Sequence, residues 1–127
     1  MGFQKIAITF SQAAQKATAN ILYIATSNDR SISLISDTVG ASIGTFEGSA
    51  TVNGTAENIY NAIVRDLNAS NVFGPTEVEY NGTDTVSISV LDESVTSITA
   101  TTSGNFAGSS STTKILGTII LPLQFNF

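Results

Sequence analysis

The residue types that most often carry out catalysis are scarce in this chain. The sequence contains neither His nor Cys, which excludes Ser-His and Cys-His nucleophiles and the common zinc sites. Two carboxylates can still hydrolyse a glycosidic bond when they flank it, and Asp92-Glu93 is the one adjacent acidic pair. Successive strand residues point to opposite faces, and acidic residues in turns are mostly solvated. We therefore interpret this pair as part of a solvated turn.

Signals for metal or cofactor binding are also weak. Asn28, Asp29 and Asp84 could offer oxygens to calcium, but no Asp-x-Asp-x-Asp-Gly loop surrounds them. Residues 40–44 contain two glycines but lack the lysine of a phosphate-binding loop. We expect no catalytic residue, no metal site, no cofactor and no small-molecule substrate, and we predict that the protein is not an enzyme.

The charge distribution argues against nucleic-acid readout. Ten acidic and five basic residues give a net charge of -5, which repels a phosphate backbone. The cations do not form a local patch, since they are spread along the chain at Lys5, Lys16, Arg30, Arg65 and Lys114.

Composition favours one folded, hydroxyl-rich domain. The 127 residues are 42% apolar and 12% charged, with 17 Thr and 16 Ser, whereas about a quarter of residues are charged in a typical domain. Thr suits the outward positions of strands, and hydroxyls cost less to desolvate than charges. This surface therefore suits protein contact. The start of the chain predicts no export signal, and the interrupted apolar run at 115–123 predicts no membrane span.

Period-two alternation and turn residues predict a series of strands. Residues 11–20 leave a polar loop, a marginal helix or an extended arm open, and residues 103–113, rich in Gly and Ser, predict a flexible loop. The predicted strands are 3–10, 21–26 with 32–35 as a hairpin around 27–30, 45–53, 77–80 with 85–91 as a hairpin around 81–84, and 95–102.

Residues 55–68 carry the clearest helical pattern. Thr55 is the predicted cap, and Glu57 is predicted to lie near the positive end of the helix dipole. The apolar side chains that follow the spacing of one helical face are Ala56, Ile59, Tyr60, Ile63 and Leu67. The polar side chains expected mostly elsewhere are Glu57, Asn58, Asn61, Arg65 and Asp66.

Together these elements predict a mainly β (α+β) fold, an antiparallel β-sandwich or barrel with one short flanking amphipathic helix. Residues 1–127 are predicted to form a single domain, with candidate assembly arms or loops at 11–20, 103–113 and 115–127. The last segment is strongly apolar, and a solitary terminus in water should not expose it. It is expected to anchor in a neighbouring subunit or to close its own core. The predicted interface residues are Ile119, Ile120, Leu121, Leu123, Phe125 and Phe127.

The helix and the strands around it, over residues 46–102, resemble a segment of tailed-bacteriophage virion proteins such as tail-tube, sheath and connector proteins. The residues that carry the resemblance are Thr55, Ala56, Ile59, Ala62 and Ile63. The resemblance implies a structural subunit that forms homo-oligomers and contacts other virion proteins. It also implies location in a virion assembled in the host cytoplasm, and it leaves tail tube, connector and capsid-associated positions open.

An alternative function is a secreted or surface binding module, such as an adhesin-like or carbohydrate-binding β-sandwich. Such a module uses exposed aromatic side chains and a site built from loops. The two hypotheses differ in self-assembly, which only the structural subunit requires.

Overall fold

The chain forms eight strands and one helix in the computed structural model, which describes residues 2–15, 20–104 and 108–116. The elements in chain order are β1 (Gly2–Phe10), β2 (Ile21–Thr26), β3 (Ser31–Asp37), β4 (Thr45–Glu47), α1 (Val52–Ser70), β5 (Thr76–Tyr80), β6 (Thr85–Val90), β7 (Ile98–Ser103) and β8 (Gly108–Leu116).

The first sheet has the strand order β5-β6-β1-β8, and every neighbouring pair is antiparallel. In the central strand β1, Ile6, Ile8 and Phe10 are buried and alternate with partly exposed residues. The register sets Ile6 opposite Ile88 and Ile8 opposite Val86 on β6. The predicted β1 strand and the predicted β5–β6 hairpin are therefore both confirmed.

The second sheet has the order β4-β3-β2-β7. Strands β2 and β3 form the predicted hairpin, and Leu22 and Ile24 point into the core. Strand β4 runs parallel to β3, with Thr45 opposite Ile35. The prediction of an antiparallel sheet is therefore wrong for this pair of strands. The 38–44 loop carries the chain back along the sheet, so that β4 runs in the same direction as β3.

The two sheets and the helix share one hydrophobic core. The helix contacts β4 and β5, which are edge strands of different sheets. On that side the helix, and not strand pairing, joins the two sheets, so the sheets do not close into a barrel. The predicted mainly β (α+β) fold is confirmed. Complete burial of one large aliphatic side chain contributes about 1.5–3 kcal/mol. The buried side chains of the helix include Ala56, Ile59, Ala62, Ile63 and Leu67.

The N-cap of the helix lies four residues before the predicted one. Thr51 is the actual N-cap, and its side chain accepts a hydrogen bond from the Gly54 amide at 3.0 Å. The Asn53-Gly54 pair therefore lies inside the first turn instead of ending a strand. Glu57 falls beyond that turn, which contains no acidic residue, so its predicted place beside the helix terminus was wrong.

Thr55 has a different role from the predicted one, since it is completely buried. Its hydroxyl donates to the Thr51 carbonyl at 2.8 Å and accepts from the Ala14 amide at 3.0 Å. The helix ends near the predicted place, at Asn71, whose left-handed backbone (φ 52°) lets its amide donate to the Leu67 carbonyl at 2.8 Å.

Three predicted segments differ in extent. The strand expected over 45–53 spans only Thr45–Glu47, because residues from Val52 onward are helical. The last predicted strand is Ile98–Ser103 rather than 95–102. In the 11–20 segment, residues 11–15 and 20 form neither helix nor strand, and 16–19 lie outside the described residues.

The predicted loop at 103–113 is largely wrong. Gly108–Leu116 is a strand that pairs with β1 along its whole length, from Gly2 opposite Leu116 to Phe10 opposite Gly108. Strand pairing joins backbone groups, and Thr has a high strand propensity, so hydroxyl-rich composition does not prevent it. Residues 105–107 lie outside the described part of the chain.

Candidate interaction surface

The six predicted interface residues are not covered by the structure. Strand β8 ends at Leu116, and Ile119, Ile120, Leu121, Leu123, Phe125 and Phe127 all lie outside the described residues. Their role in assembly stays a prediction. The described residues contain a different surface with the properties of a contact site.

This surface is the outward face of β2, β3 and β7, which we call the hydroxyl face. Its residues alternate along each strand with buried or partly buried ones. None of them is charged, and the next outward position of β3 is the charged Asp37 at its end. Cross-strand register places Tyr23 between Ser33 and Thr101, and Ile21 between Ile35 and Ser103. The residues of the hydroxyl face are Ile21, Tyr23, Ala25, Ser31, Ser33, Ile35, Thr99, Thr101 and Ser103.

The hydroxyl face exposes large apolar side chains, and the described side chains of β1, β5 and β6 in the first sheet do not. Tyr23 is 45% exposed and Ile35 is 39% exposed. On the outward face of the first sheet, by contrast, Lys5 and Glu79 form an ion pair at 3.6 Å. Interface centres are depleted of charge and enriched in aromatic residues, so the hydroxyl face has the composition of an interface centre and the first sheet does not.

The loop between β3 and β4, residues 38–44, extends this surface. Val39 and Ile43 on the loop are 64% and 60% exposed, and with Tyr23 and Ile35 they are the exposed large hydrophobic residues of the described chain. The Ile35 amide donates to the Gly44 carbonyl at 2.9 Å, which fixes the end of the loop beside β3. Ile43 also lines a shallow hollow of about 250 Å³ together with Ser31, Ser33 and neighbouring residues. The four exposed apolar side chains thus fall within one stretch of chain, between residues 23 and 43.

The 38–44 loop is held by two adjacent helix residues. Arg65 donates through Nη1 to the Gly40 carbonyl at 2.7 Å and through Nη2 to the Thr45 carbonyl at 2.6 Å. Asp66 accepts from the Gly44 amide at 2.9 Å, and its other oxygen accepts from Arg65 Nε at 2.8 Å. We call these contacts the Arg65–Asp66 clamp. The clamp holds the loop at Gly40, next to Val39, and at Gly44 and Thr45, next to Ile43.

Gly40 reinforces this geometry. Its φ of +65° lies in the left-handed region, and a Cβ at this position would come within 2.1 Å of the Glu47 amide nitrogen. Only glycine fits so close to β4 with this backbone conformation. The loop conformation is therefore set by close backbone packing as well as by the clamp.

The clamp was missed because Arg65 and Asp66 were both assigned mostly to the polar side of the helix. Asp66 is in fact 4% exposed and Arg65 is partly buried. Residues three and four apart lie on the same helical face. Asp66 follows Ile63 by three residues and Ala62 by four, so this spacing was the signal that places it on the buried face.

A second concavity lies beside the helix. The rings of Tyr60 and Tyr80 stack with their centroids 5.9 Å apart and their planes at 30°. They line a cleft of about 510 Å³, together with Val78, Glu79, Asn81, Thr85 and Ser87. The Tyr80 hydroxyl donates to the Asn53 side chain. Partial desolvation, followed by the carboxylates of Glu57 and Asp84, raises the pKa of Tyr80, so at neutral pH its phenol is a hydrogen-bond donor.

The carboxylates that could contribute to catalysis or bind calcium lie in turns. Asp92 accepts from the amide and hydroxyl of Ser94 at 2.9 and 2.8 Å, and these bonds lower the pKa of Asp92. Glu93 is exposed beside it. Asp84 is bound within the β5–β6 turn by Asn81, and Asp29 occupies the β2–β3 turn with φ 64°. The structure therefore does not bring these carboxylates together at one site.

Among residues 2–15, 20–104 and 108–116, no group of three or more acidic residues is arranged to hold a metal ion. The helix found in those ranges is not long and apolar enough to cross a membrane.

Comparison of the chain with protein-family models, with curated proteins and with solved structures gives no match in any of the three.

Proposed function

We propose that this protein is a non-enzymatic structural subunit that works by assembling with copies of itself and with other proteins. The hydroxyl face carries the proposal. It is an uncharged sheet surface on which Tyr23 and Ile35 are exposed, continued by a loop that the Arg65–Asp66 clamp holds in place.

The hydroxyl face costs little to desolvate. Removing a hydroxyl from water costs far less than removing a charge, and burial of apolar area returns roughly 25 cal/mol per Å². A face made of Ser, Thr, Ile and Tyr can therefore be covered at little cost. A clamped loop also loses less conformational entropy on binding than a mobile one, so Val39 and Ile43 are prepared for contact.

The class of assembly that we propose is a tailed-phage virion, with the subunit in the tail tube, a connector or the capsid. The support is the resemblance around Thr55, Ala56, Ile59, Ala62 and Ile63, together with the order of a helix followed by the β5–β6 hairpin. On this proposal the protein resides in the virion after assembly in the host cytoplasm, and its partners are further copies and other virion proteins.

The test is the mass of the protein in solution over a range of concentrations, measured by light scattering after size exclusion, with negative-stain images of the same fractions. Rings, tubes or discrete multimers are expected. A Tyr23→Glu plus Ile35→Glu variant should shift the distribution toward monomer, and Glu77→Gln on the first sheet is the matched control. A strict monomer at every concentration, and also in the presence of other virion proteins, contradicts the proposal.

The C-terminal prediction needs its own variant, Phe125→Asp plus Phe127→Asp. Loss of higher-order assembly with a retained circular-dichroism spectrum supports an anchoring role in a neighbouring subunit. Unfolding of this variant instead assigns the segment to its own core.

A binding module is the second candidate, and the Tyr60–Tyr80 cleft favours it. Aromatic rings beside an amide and a carboxylate, here Asn81 and Glu79, suit a ligand that combines an apolar face with hydroxyl groups, such as a sugar. Titration of a glycan panel, monitored by NMR shifts of the residues that line the cleft, tests this function. Saturable shifts that are lost in Tyr60→Ala would favour the module, and unchanged spectra would exclude binding of those glycans.

A further inference from the structure

We propose that the outer edge of β5 binds an extended segment of a partner protein as an added antiparallel strand, and that this segment alternates basic with apolar residues. The inference rests on the proposed function only in that the subunit also contacts other proteins. The site is separate from the hydroxyl face and lies on the other sheet.

The backbone of β5 is unpaired on the side away from β6. Strand β5 is the last strand of its sheet, and just beyond it the Asn81 amide donates to the Thr85 carbonyl at 3.0 Å. Because bonded and non-bonded pairs alternate in an antiparallel ladder, the backbone groups of Thr76, Val78 and Tyr80 point away from β6. Within the described part of the chain, no hydrogen bond reaches these groups. We call them the β5 edge.

The Tyr60–Tyr80 cleft lies beside the β5 edge. Its volume of about 510 Å³ is bordered by consecutive residues from Val78 to Asn81 and by Tyr60 of the helix. Val78 and Tyr80 are only partly buried, so apolar side chains of an added strand can cover them. Strand addition therefore supplies main-chain hydrogen bonds and apolar contact together.

Glu77 and Glu79 select the charge of the partner. Both are exposed, and they alternate along β5 with the partly buried Thr76 and Val78. Glu79 forms an ion pair with Lys5 at 3.6 Å, whereas Glu77 takes part in neither ion pair of the described residues. Residues directly opposite on neighbouring strands share a face, and opposite charges in such a pair are favourable. A basic residue opposite Glu77 is therefore preferred.

The same glutamates argue against two other occupants. Pairing with β5 of a second copy, about a two-fold axis at Val78, would set Glu77 of each copy opposite Glu79 of the other. Like charges directly opposite are destabilising. The C-terminal residues 117–127 are largely apolar but contain no basic residue, so they offer Glu77 no cation. A partner protein with alternating basic and apolar residues satisfies both the backbone and the charge.

A short synthetic peptide in which Lys and Val alternate is the probe. Calorimetric titration of the full chain should show saturable binding at a single site, and a peptide in which Glu and Val alternate should bind about ten-fold more weakly. In antiparallel pairing the Val amides of the peptide face β5 and the Lys amides face away. N-methylation of the Val residues should therefore abolish binding, and N-methylation of the Lys residues should preserve it.

Amide exchange locates the peptide on the β5 edge. When the peptide is bound, the amides of Val78 and Tyr80 should exchange with deuterium more slowly than in the protein alone. The amides of Glu77 and Glu79 already bond to β6 and should change little. A ligand that contacts only the rings of the Tyr60–Tyr80 cleft would not produce this alternation.

A charge reversal tests the choice of partner. Glu77→Lys should reverse the preference, so that the peptide with Glu binds more tightly than the peptide with Lys. Glu47→Lys makes the same change at an exposed position of β4 on the second sheet and should keep the wild-type preference. Circular dichroism confirms that both variants are folded.

Three results would overturn the inference. The first is no binding of the Lys peptide, which leaves the proposed assembly intact if multimers still form through the hydroxyl face. The second is binding that N-methylation of neither set of residues weakens. The third is slow exchange of Val78 and Tyr80 in the protein alone that is lost on deletion of 117–127, which would assign the β5 edge to the C-terminal segment. Peptide binding by a strictly monomeric protein would support the inference and contradict self-assembly.

Discussion

The carboxylate of Asp66, near the end of the helix, accepts a hydrogen bond from the backbone amide of Gly44 at 2.9 Å. The two residues are 22 positions apart, and the bond joins the helix to the loop that exposes Ile43. Because Asp66 is 4% exposed, this bond is shielded from water. The loop geometry therefore depends in part on a buried side chain that belongs to another element.

Replacing Asp66 with Ala should lower the free energy of unfolding by about 2–3 kcal/mol, because a partly buried hydrogen bond to a charged group is lost and Arg65 loses its carboxylate partner. The Gly44 amide should also exchange with deuterium faster. Urea unfolding and hydrogen exchange by NMR measure the two effects. Glu57→Ala on an exposed position of the same helix is the control, expected within about 0.5 kcal/mol of wild type. Equal stability of Asp66→Ala and wild type would contradict the role of the clamp.

Replacing Thr55 with Val should cost about 1–3 kcal/mol, because the Ala14 amide would remain buried without its acceptor. Val has nearly the same shape as Thr, so the loss isolates the hydroxyl. Thr55→Ser keeps the hydroxyl and should retain most of the stability. Thermal unfolding of the three proteins, with amide exchange at Ala14, distinguishes a hydrogen bond from simple packing. If Thr55→Ser were as unstable as Thr55→Val, the hydrogen bond of the hydroxyl would not be the cause of the loss.

Alternation identified β1, the β2–β3 hairpin and the β5–β6 hairpin correctly from sequence, because Ile6, Ile8 and Val86 lie on strands with one buried face. Of the predicted apolar face of the helix, Ala56, Ile59, Ile63 and Leu67 are buried and Tyr60 is only partly buried. The start of the helix was predicted wrongly, because Asn53-Gly54 is a common turn signal and was taken to end a strand. In the folded chain Gly54 packs closely against the residues before the helix, because a Cβ there would lie 2.2 Å from the Ser49 hydroxyl oxygen.

The candidate site was less predictable than the fold. The hydroxyl face depends on β7 lying beside β2, a pairing between residues more than 70 positions apart, such as Tyr23 and Thr101. The clamp depends on where the 38–44 loop comes to rest against the helix. Local patterns contain neither of these long-range relationships. Composition did indicate that the surface would be rich in hydroxyl groups, but it could not say on which sheet they would gather.

Replacing Gly40 with Ala should destabilise the protein by about 3 kcal/mol, because a Cβ would lie 2.1 Å from the Glu47 nitrogen at a φ of +65°. Gly82→Ala is the matched control. Gly82 also has a positive φ, +87°, but nothing lies within 4 Å of the added carbon, so only the conformational cost of about 1–2 kcal/mol applies. Urea midpoints of the two variants measure the difference. Equal losses would mean that the close approach of Gly40 to β4 is unimportant.

The Asn81–Asp84 turn should make stability depend on acid pH. Hydrogen bonds from Asn81, then from Thr85 and Thr83, hold the pKa of Asp84 below its usual value, which is about 3.9 in an unfolded chain. The stability that the ionised Asp84 contributes is therefore fully present above the pKa of the unfolded chain. It is lost as pH falls through the lower pKa of the folded protein. NMR titration of the carboxyl carbon should show the Asp84 midpoint rising toward its usual value in Asn81→Ala. The Asp92 midpoint, which depends on Ser94, should stay unchanged in the same variant. An Asp84 midpoint that did not move would show that Asn81 does not lower the pKa of Asp84.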